Sequence, residues 1–82
     1  GSPVKRIGRD RFIRNVLIAA GNSGEASLAP QVRLLLADAS PLVRGAAVWA
    51  LAELEGPQAV RGLRDDDADV AGEIAHALRG EG

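Results

Sequence analysis

Apolar residues recur at helical spacing three times along the chain, each time behind a residue suited to start a helix. Ile13, Val16, Leu17 and Ala20 follow Asp10. Val43, Ala47, Ala50, Leu51 and Leu54 follow Ser40, and Val70, Ile74, Ala77 and Leu78 follow Asp67. Asp and Ser are good helix N-caps because their side-chain oxygens accept from backbone N–H groups left open in the first turn. Pro41 sits where a first helical residue belongs, since its missing N–H is no loss there. The segments DRFIRNVLIAAG, SPLVRGAAVWAL and DADVAGEIAHAL therefore align as three equivalent helices, offset by 30 and 27 residues.

Two weaker stripes lie between them. SLAPQVRLLLAD, capped by Ser27, aligns Leu28, Val32, Leu35 and Leu36, and GPQAVRGLRDD aligns Val60 and Leu63. Short polar connectors such as GNSGEA and DAS suit antiparallel helix pairs, and no segment alternates as a strand would. Helix–turn–helix units repeating every 27–30 residues predict an all-α solenoid, in which each unit buries its apolar face against its neighbours. The expected organisation is a basic arm over residues 1–9, then a domain of about five helices over residues 10–82.

Composition narrows the class. The 82 residues hold fifteen alanines but only Phe12 and Trp49 as aromatics, which suits closely packed helices in one small domain. There is no cysteine, so the chain offers no disulfide, thiolate metal site or iron–sulfur ligand. Cysteine absence fits a cytoplasmic protein, and no apolar run approaches the roughly 18 residues of a membrane span. The expected protein is a monomer with no membrane partner.

Charge changes the picture more. Residues 1–33 carry six cations against two anions, and residues 34–82 carry four against nine, so a net charge of −1 conceals a strong dipole. Half of the ten basic residues lie within SPVKRIGRDRFIRN: Lys5, Arg6, Arg9, Arg11 and Arg14. With Asp10 as cap, Arg11 and Arg14 would sit at the positive end of a helix dipole, a placement that costs roughly 0.3–1 kcal/mol each. Unpaired cations there suit an anion, phosphate foremost. Arg11, Arg14 and Asn15 share a helical face, and the repeat aligns Arg14 with Arg44, predicting a short basic row that stops at Ala71.

The other candidates read as structural. Phe12 is expected in a core or inter-helix contact and Trp49 in an inter-helix gap. His76 has no metal-ligand companions at suitable spacing. DDDAD, residues 65–69, reads as the acidic flank of the last helix, and GNSG, residues 21–24, as a helix stop and turn. No nucleophile–base pair or paired catalytic carboxylates can be assembled, so the chain alone is not expected to be an enzyme.

SLAPQVRLLLADASPLVRGAAVWALAEL resembles the short HEAT-like repeat, with an Asp-containing turn and a Val-Arg-x-x-Ala-Ala helix ending in Ala-Leu. GSPVKRIGRDRFIRNVLIAAGNSG, running into those repeats, resembles the start of the C-terminal HEAT-like domain of tRNA epoxyqueuosine reductases. The likeness is strongest over residues 1–54. It implies a parent enzyme that reduces epoxyqueuosine to queuosine at the tRNA wobble position with cobalamin and two [4Fe–4S] clusters, its cofactors and catalytic acid lying in upstream domains of the same polypeptide. It also implies a tRNA anticodon stem–loop as partner and admits a substrate contact through Asn22 or Ser23. The nucleic-acid-binding set is then Lys5, Arg6, Arg9, Arg11, Arg14, Asn15 and Arg44. The alternative is a HEAT-like protein–protein adaptor that docks through its acidic half or its Trp49 surface.

Overall fold

The computed structural model describes the backbone of residues 3–80 and the side chains of residues 8–80. Within that range it contains four α-helices and no strand: α1 (Pro3–Ser23), α2 (Ala29–Leu35), α3 (Pro41–Glu55) and α4 (Ala68–Arg79). Single 3-10 turns at Ala26–Leu28 and Pro57–Val60 precede α2 and α4. The helix expected over GPQAVRGLRDD, fourth of the five, is only the second of these turns. Gly56 and Gly62 bracket it with φ of 96° and 89°, a left-handed conformation that favours glycine and that an α-helix cannot continue through.

The caps at the two later starts are as expected. Ser40 Oγ accepts from the N–H of Val43 at 3.4 Å. Asp67 Oδ1 accepts from Asp69 and Val70 at 2.9 and 3.2 Å. Asp10 is not a cap. Helix α1 passes through it from Pro3, and its carboxylate accepts from the Arg9 guanidinium instead. Residues 3–9 therefore extend the helix rather than forming a separate arm, with Pro3 at a first helical position where proline is tolerated. GNSG likewise does not stop α1 at its first glycine. The helix runs to Ser23, and Gly24, at φ 71°, makes the turn.

Helix α3 is the centre of the molecule: α1 and α4 pack on it, as do α2 and the Pro57–Val60 turn. It supplies Val43, Ala47, Val48, Ala50 and Leu51 to the core, joined by Leu17, Ala29, Val32, Val60, Val70 and Ile74. Ala47 and Ala50 are fully buried; such small side chains let neighbouring helices approach closely. One member of the expected α1 core stripe, Val16, is misplaced, and so is Phe12, expected in a core or inter-helix contact. Val16 is 50% and Phe12 68% exposed, because Ile13, Leu17 and Gly21 face α3 and Phe12 and Val16 fall on the flank beside them. The chain extends over 42 × 27 × 16 Å, a slab with α1, α3 and α4 side by side.

Candidate functional site

One ionic device appears twice and commits two of the expected binding arginines. Two residues before each cap lies an aspartate, Asp38 before Ser40 and Asp65 before Asp67. Each accepts from the cap's own N–H at 2.9 Å. Each is also held by an arginine from the preceding long helix. Arg9 donates to Asp38 at 2.6 and 3.2 Å, and Arg44 donates to Asp65 at 2.8 and 3.3 Å. Arg44 further donates to the carbonyls of Asp38 and Ala39 at 2.9 and 3.1 Å. The Arg9 and Arg44 guanidiniums hold Asp38 and Asp65 below the usual aspartate range, each helped by the backbone N–H it accepts. The same bonds raise both arginines further above their already high values.

Of the expected Arg14–Arg44 row, Arg44 is committed to Asp65 in the next repeat. Arg9, five residues ahead of Arg14, takes the carboxylate in the first. Arg14 is left with one hydrogen bond, from Nη2 to Asn15 Oδ1 at 3.1 Å, while its Nε is buried without an acceptor. Arg11 and Asn15 are exposed on the same helix. The side chains of Lys5 and Arg6 lie outside the described residues. Their backbone falls in the first turns of α1, whose opening turn has no acidic residue. Arg11 and Arg14 are thus mid-helix, and the dipole argument passes to Lys5 and Arg6.

Arg14 also belongs to a groove of about 670 Å³ across the face formed by α1, α3 and α4. Ile18 and Asn22 extend the α1 wall, Pro41, Leu42, Gly45, Ala46 and Trp49 form the floor, and Asp69 and Glu73 line the α4 wall. Trp49 is half-buried. One edge of its indole packs against Gly21, where an added Cβ would lie 2.5 Å from Cζ3, and the rest of the side chain lines the groove. The sequence offers the acidic half and the Trp49 surface as separate docking faces of the alternative reading, with Asp69 in an acidic helix flank and Trp49 chiefly as core. The i, i+4 spacing of Asp69 and Glu73 does place both acids on one face of α4. Nothing in the sequence brings that face beside Trp49.

Among the described residues no three His, Asp or Glu side chains come together as a metal-holding group. No helix among them is long and apolar enough to cross a membrane.

A family model described as HEAT repeats matches residues 9–79. The chain is similar to the epoxyqueuosine reductase of Alicycliphilus denitrificans strain K601, with 43% identity over 61 residues. That match covers 65% of this chain and 17% of the relative's length. No solved structure matches it.

Proposed function

The chain belongs to the HEAT-repeat family, and from that premise we propose that it is the RNA-holding module of a cytoplasmic epoxyqueuosine reductase. It grips the anticodon stem–loop of a tRNA through phosphates, while the reduction of epoxyqueuosine to queuosine takes place elsewhere in the polypeptide. The observation that carries this reading is Arg14. It stands on the most basic segment of the chain and enters none of the ion pairs among the described residues, next to the exposed Arg11 and Asn15. Guanidinium groups in this state suit phosphate oxygens, which they can meet through paired N–H donors. Recognition of a structured RNA by its backbone needs no array of stacking aromatics, and α1 offers only Phe12.

Four residues supply the affinity in this reading: Lys5, Arg6, Arg11 and Arg14, with Asn15 orienting a neighbouring group. Arg9 and Arg44 act indirectly, by tying successive repeats together and setting the pitch of the surface. The two [4Fe–4S] clusters that the resemblance implies for the parent enzyme need thiolate ligands, which this chain does not supply. The redox chemistry is therefore assigned to upstream domains.

The test is a titration of an anticodon stem–loop at several salt concentrations. Four phosphate contacts give a log–log slope of roughly −2.8 to −3.6, from about −0.7 to −0.9 per contact. Replacing Arg11 and Arg14 together with Gln flattens it by about two contacts and leaves the helical circular dichroism unchanged. Replacing Arg64, in the acidic half, does little. Equal loss from both changes means diffuse attraction, and no loss from either removes the RNA reading.

A further inference from the structure

The groove over Trp49 shares Arg14 with the RNA reading, but its indole and its two carboxylates play no part in that reading. Its α4 wall carries two carboxylates, Asp69 and Glu73, and its α1 wall one guanidinium, Arg14. The ion pairs Arg9–Asp10, Arg9–Asp38, Arg33–Glu55 and Arg44–Asp65 draw on none of these three. Opposite charges thus face one apolar trough from its two walls without a bridge between them.

We propose that this groove binds an extended basic peptide segment. An arginine or lysine side chain of the peptide lies along the indole of Trp49 with its head between Asp69 and Glu73.

Charge complementarity selects this occupant. A cation over an indole face gains from the ring's quadrupole, and more so where the site is partly desolvated. Two carboxylates at i and i+4 on one helix can share that cation from one side. The same carboxylates repel a phosphate backbone, so RNA approaches Arg14 from the α1 side and stays off the α4 wall.

The dimensions suit a short strand of peptide. Neighbouring helix axes lie roughly 8–10 Å apart, and α3 stands between α1 and α4. The α1 and α4 axes are therefore about 16–20 Å apart, and side chains projecting from both leave between the walls room for no more than about five or six extended residues.

Trp49 is the chain's only tryptophan, so its emission reports on the groove directly. The probe is a capped peptide of alternating Arg and Gly, about six residues long, titrated into the 82-residue chain. The expected result is a saturable change in Trp49 emission that weakens as salt rises. The Asp69→Asn, Glu73→Gln double variant should bind about tenfold more weakly. A peptide with citrulline in place of each arginine keeps the shape but loses the charge, and it should fail against the unaltered chain whatever the variant's stability. Equal binding of the citrulline peptide overturns the proposal. So does an anticodon stem–loop that shifts Trp49 emission and displaces the arginine peptide, because the groove would then belong to the RNA surface. Loss of RNA binding on replacing Arg11 and Lys5, with peptide binding intact, separates this site from that reading.

Discussion

Gly21→Ala tests the packing that holds α1 to α3 and shapes the groove. In most helix interiors this change is favourable by up to about 1 kcal/mol, because alanine loses less backbone freedom than glycine. Here the new Cβ would lie 2.5 Å from Trp49 Cζ3 and 3.1 Å from both Cε3 and Cη2. Ordinary carbon–carbon contact is about 3.5–4.0 Å, so the overlap with a rigid ring is at least about an ångström. Gly21 is itself buried, so the ring can yield only by swinging toward the groove and leaving unfilled space beneath it. Overpacking of this kind costs typically about 1–3 kcal/mol. Taking the upper half of that range and subtracting the helix gain leaves a net loss of about 1–2 kcal/mol.

For a domain of this size each kcal/mol moves the melting temperature by roughly 4–8 °C, so Tm should fall by about 5–15 °C. The same substitution at Gly72, an exposed position inside α4 with nothing within 4 Å of an added Cβ, should stabilise by about 0.5–1 kcal/mol. Thermal unfolding by circular dichroism measures both, and Trp49 emission in Gly21→Ala should shift to the red as the ring moves toward water. A Gly21→Ala chain as stable as the Gly72→Ala chain, or one with unchanged emission, refutes the reasoning.

Asp67→Ala removes the acceptor for two N–H groups at the start of α4. It should cost about 1 kcal/mol in urea unfolding, and Asp67→Asn should recover most of it. Acid sensitivity follows from Asp38 and Asp65, whose folded-state pKa values are lowered. Below the ordinary aspartate value of 3.8 the unfolded chain binds more protons than the native one. Their contribution is therefore present above that value and is lost as pH falls through the folded values. The urea midpoint should drop as pH falls below the ordinary aspartate value, and less steeply in an Arg44→Gln chain. Parallel curves for the two chains would show that the Arg44–Asp65 pair carries none of this dependence.

Helix content, the caps Ser40 and Asp67 (though not Asp10 or Ser27) and the repeat period were legible because each is written in neighbouring residues. Ser40 with Pro41, and Asp67 ahead of Val70, Ile74 and Ala77, announce helix starts through local hydrogen bonding and 3.6-residue periodicity. Most of the α3 core could be named for the same reason, since one stripe on one helix has one partner face. Asp10 shows where local reading ends. It has the chemistry of a cap, but the helical pattern is already running when the chain reaches it, and Arg9 takes its carboxylate. Which arginine meets which aspartate was not readable either. Arg9 and Asp38 stand 29 residues apart and Arg44 and Asp65 stand 21 apart, so each pair depends on how two helices are set against each other. Phe12 and Val16 are exposed because no described element packs on their flank of α1, a fact about neighbours and not about periodicity. The groove is tertiary in the fullest sense. Arg14, Trp49 and Glu73 come from three helices, and only the packing of α1 and α4 on either side of α3 brings a lone guanidinium, an indole and two carboxylates to one trough.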